Sequence, residues 1–427
     1  MIQLFHRFLN YRNIFLPVIF VITAGVLGGF IAATGLLALM LIIKKKNTLE
    51  LLFVLLIFTF FLGDNFRGPF AYMQNFRFVM VLFSFLYLLK YNLIKNSVAN
   101  YLLPFTIIAF CVTLLFSPIG IAAVFRSLGF WLVGLVIFKL AKLLYLSNTK
   151  RVSELLMLAL VLYFTVNLLL VFISFDNVYL NGRFRGLTAN PNGLGMIAMF
   201  SYAIITLIEK RKDITLKKTF LALKILLFFI IFITGSRTAF LSVLFFELVN
   251  RLLKNKVLLF LAIAVFVFLY LVIESIASFQ VFKFLESFDF FRIETLADGS
   301  GRTEVWPVVW EEISNAPFFG NGILYDDYFM KDYVTTNIGE YASRHWGGVW
   351  NSYLSLLLDV GVIGCIAYVY FWIIVFKKSH YKNIAIAFIA MCLLSGFTES
   401  WMAASMNAFT PMMFLFWAIQ LQPATNK

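Results

Sequence analysis

From residue 14 to residue 43 the chain runs 30 residues without a charge, and apolar stretches of this kind recur along most of its length. An uncharged run of 18 or more residues is long enough to cross a bilayer as a helix, and in lipid only helices or closed barrels satisfy the backbone. Further candidate spans fall at 48–62, 76–90, 101–116, 120–146, 152–175, 193–209, 218–233, 237–252, 256–276, 350–376, 383–399 and 406–422. Glycines at 25, 28 and 29 leave the first run open to one tilted span or a pair of short helices. The expectation is an all-α, polytopic membrane bundle of about 12 to 14 spans. Hydrophobic residues make up 62% of the chain, against about half in soluble domains. That leaves no room for a large soluble domain. Cys111, Cys365 and Cys392 all lie in apolar segments and read as small hydrophobes, neither disulfide nor metal ligands. The basic start is followed by no small-residue cleavage site, so it reads as an uncleaved first anchor.

One polar interruption, from Phe279 to Asn351, is roughly 70 residues long and cannot cross a bilayer. It divides the chain into membrane helices over 1–276, a long loop with short amphipathic helices over 277–349, and further membrane helices with a short tail over 350–427. The net charge of +14 suits positive-inside loops better than nucleic acid, because no basic run is interleaved with stacking aromatics. Lysine-rich breaks such as Lys44-Lys45-Lys46, Lys210 to Lys218 and Lys377-Lys378 alternate with lysine-poor ones, which places the former in the cytoplasm. By this topology nine of the 14 arginines stand toward the outer side: Arg67, Arg77, Arg126, Arg183, Arg185, Arg237, Arg292, Arg302 and Arg344. Lysine serves topology equally well. Segregated arginine points instead to an anionic, phosphorylated ligand gripped by guanidinium forks.

Four motifs gather these residues. Asn181 to Gly195 (NGRFRGLTANPNGLG) is a structured turn before a helix, with Arg183, Arg185 and Asn190 beside the helix start. Thr234 to Ser242 (TGSRTAFLS) sets Arg237 at the first turn of a helix near membrane depth, where an ionisable group is a functional candidate; its alternative is pairing with Glu247 or Glu399. Gly299 to Trp310 (GSGRTEVWPVVW) opens a helix at Arg302 whose Val305, Trp306, Val309, Trp310 and Ile313 recur at helical spacing. It is expected to lie on the membrane surface and to stop by Pro317 and Gly320-Asn321-Gly322. Ser343 to Gly364 (SRHWGGVWNSYLSLLLDVGVIG) sets Arg344 and His345 before a helix that carries Asn351 and Asp359. By the expected topology His345 is the only histidine outside, with a reference pKa near 6.5 that suits proton transfer; its alternative is an interfacial anchor.

The order RFRGLTANPN, TGSRT, GRTEVW with APFFGNG, then WNSYLSLLLDVGVIG and a late SGFTES (395–400) resembles the O-antigen ligase and polymerase superfamily over residues 180–410. The resemblance implies a bacterial inner-membrane glycosyltransferase of C-type architecture with its site facing the periplasm. It implies a donor glycan on undecaprenyl diphosphate, an acceptor sugar hydroxyl on a glycan or a lipid A-core, and neither metal nor cofactor. Diphosphate-binding arginines of the family match Arg185 or Arg183, Arg237 and Arg302; Arg344, Asn190, Asn351 and Glu399 complete the expected site. One position departs: where the family opens the helix after the long loop with His-Asn or His-Ser, this chain has Trp350-Asn351, and His345 lies five residues earlier. Either His345 takes that role by a different loop path, or the role is absent and a carboxylate such as Glu340 or Glu399, or the diphosphate itself, takes the proton. A polytopic lipid or polysaccharide transporter is the reading from another class, and it predicts repeated halves and discontinuous helices.

Overall fold

The computed structural model describes residues 9–43, 47–64, 68–93, 97–173, 175–214, 217–253, 302–339 and 344–423. The expected span at 256–276 and the first part of the polar stretch, with Arg292, lie outside the described residues. The protein is an all-α membrane bundle. Its helices are α1 (Arg12–Ile43), α2 (Thr48–Leu62), α3 (Met73–Lys90), α4 (Leu103–Phe116), α5 (Ile121–Ile173), α6 (Pro191–Arg211), α7 (Lys217–Ile233) and α8 (Arg237–Leu252). Within the polar stretch lie α9 (Arg302–Asn315) and α10 (Tyr325–Tyr333), and after it come α11 (Ser352–Lys378), α12 (Lys382–Thr398) and α13 (Phe409–Gln420). Among the described residues six helical stretches are long and apolar enough to cross a membrane, while α2, α12 and α13 are apolar but shorter. The surface agrees: Leu27 is 82% exposed and Phe172 86%, costly in water but natural against hydrocarbon.

Three helices are interrupted where the sequence gives a reason. Gly29 in α1 takes a left-handed φ of 67°, so the 30-residue run is one broken helix. Asn148 leaves helical geometry between the two spans expected at 120–146 and 152–175, which therefore follow each other as the halves of α5. Gly361 breaks α11 at φ 61°. At the centre stands α6, buried on nearly every side and apolar all round from Met196 to Ile205 apart from Ser201. A helix without a polar face belongs inside a bundle, and α6 fixes what gathers at its N-terminal end.

The amphipathic helix expected at 302–313 is present, but its apolar stripe does not lie on a membrane surface. Val305, Val309 and Ile313 pack with Met330, Val349 and Leu358 into a second, small core under the polar loop. The indole of Trp306 donates to the Val349 carbonyl at 3.1 Å, leaving Trp310 outside. Loop residues supply the cover that the sequence pattern assigned to lipid.

Candidate functional site

The N-terminus of α6 is built by a loop that prepares it. Asn181 and Gly182, at φ 51° and 74°, form the two-residue turn of a hairpin that pairs Tyr179 with Phe184 and Leu180 with Arg183. Gly186 (φ 51°) then presses on Asn167 of α5, where a Cβ would meet Asn167 Oδ1 at 2.1 Å. Asn167 Oδ1 accepts from the Leu187 amide at 2.7 Å. Asn190 caps α6, its side chain accepting from Gly193 N at 2.8 Å, and Pro191 takes the first helical position.

The two arginines of this loop diverge. Arg183 reaches under α6, donating from Nε to Thr234 O at 2.9 Å and from Nη2 to Gly235 O at 3.0 Å and Asn192 Oδ1 at 2.6 Å. Arg185 braces its own loop, with Nε donating to Asn177 O at 3.2 Å and Nη1 to Ala189 O at 3.5 Å. The carbonyls that Arg183 holds belong to the TGSR turn, where Ser236 caps α8 and Arg237 is its first residue. Gly195 lets α6 lie against this turn; a Cβ there would stand 2.6 Å from the Ser236 Cβ.

Asn192 passes the contact on, donating from Nδ2 to Glu399 Oε1 at 2.8 Å. Arg302 approaches the same oxygen at 4.0 Å while its Nη2 donates to the Thr398 carbonyl at 2.8 Å. Its Nε is buried without a partner among the described residues. Ser352, the first residue of α11, donates to the Glu399 carbonyl at 2.6 Å. Burial holds the Glu399 carboxyl above the ordinary carboxylate range, against the opposing pull of Arg302 and Asn192. Segments near 183, 192, 235, 302 and 399 thus converge on one carboxylate. Glu247, the other acid considered for Arg237, is bonded instead by Tyr202 at 2.8 Å and Arg251 at 3.0 Å. Asn351 is buried and caps α11, accepting from Tyr353 N and Leu354 N at 2.9 and 3.1 Å. Arg344 and His345 stand in the short turn Arg344–Gly347; their side chains lie outside the described residues.

On the other side of the α6 N-terminus opens a cleft of about 220 Å³, lined by Asp64, Gln74, Arg77, Arg126, Asn190 and Asn407 among others. Among the described residues Arg77 Nε and Asp64 Oδ2 are buried without hydrogen-bond partners. Burial raises the Asp64 carboxyl to about 6, with Arg77 and the Ala189 amide pulling the other way. Nothing in the local sequence marks Asp64; Arg77 and Arg126 carried only the general signal of outer arginines. A larger groove of about 590 Å³ opens between α6, α7 and α8 toward the opposite end. Its charges are already paired, Lys224 with Glu209 at 2.6 Å and Arg251 with Glu247 at 3.0 Å.

The polar loop is fastened to the break in α11. Asn321 N donates to Leu358 O and Gly322 N to Asp359 O, at 2.8 and 2.7 Å, while Val362 N and Ile363 N donate back to Pro317 O and Phe318 O at 2.9 and 3.1 Å. The Asp359 carboxylate accepts from Leu324 N and Asp326 N. Only glycine fits at the crossing: a Cβ on Gly320 would lie 2.6 Å from the Asp359 carbonyl carbon, and one on Gly361 2.4 Å from Phe318 O. The discontinuous helix is therefore filled by the protein's own loop, which is not how a transporter presents such a break to its cargo.

Residues 222–369 match a family model described as O-antigen ligase. No curated protein matches the chain.

Proposed function

We propose, on the match of residues 222–369 to an O-antigen ligase family model, that the Glu399 cluster transfers a glycan from an undecaprenyl-diphosphate carrier to an acceptor sugar hydroxyl. The observation that carries this reading is the meeting of Arg183 and Arg302 with Glu399 and the TGSR turn, assembled from segments more than 200 residues apart. Lysine-rich breaks on the opposite side support a periplasmic orientation in the inner membrane.

The reaction forms a bond from the acceptor oxygen to the anomeric carbon and breaks the bond from that carbon to the diphosphate oxygen. The electron pair leaves with the diphosphate, so negative charge builds on phosphate oxygens in the transition state. Fixed guanidinium groups stabilise that charge in a site shielded from water. Arg302, with an unused Nε, and Arg237, at the start of α8, are placed for this. Arg183 holds the TGSR turn in position. Arg185, on the loop next to the α6 N-terminus, reaches the diphosphate once its long contact to Ala189 is exchanged.

The hydroxyl proton goes to Glu399 or to His345. Glu399 must be ionised to accept it, so its raised pKa places the gain of activity above the usual carboxylate range. A transfer assay with purified lipid-linked donor, run across pH on wild type, Glu399→Gln and His345→Gln, separates the two. Loss of transfer in Glu399→Gln with an unchanged profile in His345→Gln assigns the proton to Glu399; the reverse assigns it to His345. Full transfer by both variants removes both from the chemistry.

A further inference from the structure

We propose that the cleft between Arg77 and Arg126 is a second anion site, which holds the phosphoryl group of a lipid-linked acceptor glycan. This rests on the glycan-transfer reading of the neighbouring cluster and names its acceptor class: a second phosphate-bearing lipid.

The charge balance of the cleft comes first. Arg77 and Arg126 face it together. Among the described residues neither takes part in an ion pair, and Arg77 Nε is buried with no acceptor. The one acid on the wall is Asp64, whose Oδ2 is also unpartnered and lies against the start of α6, where a Cβ on Gly193 would stand 2.5 Å away. Burial makes this acid reluctant to ionise. Asp326, the other acid that feels Arg126, is likewise held back from ionising by burial, so the two cations face only weakened anions and the cleft stays positive; a buried guanidinium donor without an acceptor is costly unless a ligand supplies one.

Size and place narrow the ligand. At about 220 Å³ the cleft is smaller than the ~300–1,000 Å³ typical of pockets for drug-sized molecules. A phosphoryl or diphosphoryl group fits, and a sugar chain must lie outside. The amide of Gln74 and that of Asn407 add neutral polar groups for phosphate oxygens. Asn190 lines the cleft, while Asn192, two residues on, holds Glu399. The two anion sites therefore flank one helix end, within roughly the ~10 Å diameter of a helix. Donor and acceptor of one transfer need that spacing.

The tail has a route. Ile121 and Phe125, within five residues before Arg126 on α5, are 74% and 61% exposed, and in a membrane-spanning chain that surface faces hydrocarbon. An anion reaching Arg126 from this side brings an isoprenoid tail without leaving lipid. A free phosphate ion has the same headgroup chemistry and no such requirement.

The test uses the full chain in nanodiscs, with farnesyl diphosphate as lipid probe and inorganic diphosphate and farnesol as separating arms. Native mass spectrometry is expected to count two farnesyl diphosphates on wild type and one on Arg126→Gln and on Arg77→Gln. Inorganic diphosphate is expected to displace the second equivalent only at concentrations at least tenfold higher, and farnesol not at all. In the transfer assay Arg126→Gln is expected to raise KM for a lipid-linked acceptor about tenfold, with donor KM and kcat near wild type. Arg126→Lys, which keeps charge but not the fork, falls between. Displacement by inorganic diphosphate at equal concentration overturns the lipid assignment and leaves a free-anion site. Two equivalents on both glutamine variants, or a raised donor KM instead, overturns the site itself. If wild type transfers no glycan, the reading of the Glu399 cluster fails, while a drop from two equivalents to one still upholds a second anion site. Thermal melts of both variants within a few degrees of wild type guard against misfolding.

Discussion

Two buried arginine environments stand at opposite ends of α6, about 30 Å apart by the rise of a 21-residue helix, and they treat charge in opposite ways. At the C-terminal end Arg211 is saturated. It bonds Asp213 at 2.9 Å with both side chains fully buried, donates to the carbonyls of Ile419, Gln422 and Pro423 at 3.0, 2.7 and 3.1 Å, and stacks 5.1 Å from the ring of Tyr145. Asp213 accepts in turn from Ser153. At the N-terminal end Arg77 and Arg302 each keep a buried Nε with no acceptor among the described residues. The difference is between an arginine that ties the C-terminal helix to the bundle and arginines whose buried donors the described residues leave open, as the proposed anion sites require.

The largest effect that separates the two ends is on stability. Arg211→Ala strips a buried carboxylate of its partner and frees the carbonyls after α13, and is expected to cost about 3–5 kcal/mol. Thermal unfolding in detergent measures it, and Arg126→Ala under the same conditions should shift by less than about 1 kcal/mol. Equal losses would erase the contrast. Next is Arg302→Lys, which keeps the charge and loses the fork: transfer at matched protein level is expected to fall about 100-fold, with the melting temperature little changed. Unimpaired transfer would make Arg302 a mere clasp on Thr398, like Arg211 on Ile419.

A third variant sharpens the role of the loop that shapes the N-terminal end. Gly186→Ala adds a Cβ onto Asn167 Oδ1 at a positive φ and is expected to cost about 1–3 kcal/mol. Because Asn167 also holds Leu187, hydrogen exchange should rise first in residues 181–190 and not near Arg211. The smallest effect is a pH dependence. Asp64 is raised from 3.8 to about 6, so the folded state holds its proton more tightly than the unfolded chain does. Its share of stability is complete below pH ~4 and lost as pH rises through about 6. The shift alone corresponds to about 3 kcal/mol, and because Asp64 is only part-buried screening brings the loss down to about 1 kcal/mol. Asp64→Asn should flatten it, and an undiminished slope in that variant would place the titration elsewhere.

The membrane helices were legible because their signal is local: apolar length, lysine breaks, and punctuation by Asn-Pro or Gly. The hairpin at Asn181-Gly182 and the break at Asn148 were written there too. Asn190 and Asn351 show a local signal that carries a structural use as well. Both sit just before a helix, where asparagine is a preferred N-cap, and their side-chain oxygens serve helix amides. The choice between Arg183 and Arg185 was beyond the sequence, since two residues apart on a hairpin put both on one face and only the twist of the loop sends Arg183 under α6. Asp64, Arg77 and Arg126 lie on three separate elements, and their meeting depends on helix packing that no short motif encodes. The apolar stripe of α9 was visible but not its partner, because Met330 comes from the short α10, Val349 from the segment before α11 and Leu358 from α11 itself, and no local pattern joins them.

The crossing of the polar loop with α11 at Gly361 has a consequence for how the protein is made. An interrupted helix within the bilayer exposes backbone amides and carbonyls, each costing several kcal/mol in hydrocarbon. Here those of Leu358, Asp359, Val362 and Ile363 are satisfied by Pro317 to Gly322, a segment synthesised some 40 residues earlier. The second half of the bundle therefore settles only once that stretch has found its place beside it. Insertion of α11 and docking of the loop become one event, and a chain whose loop fails to dock is left with a helix that the lipid rejects.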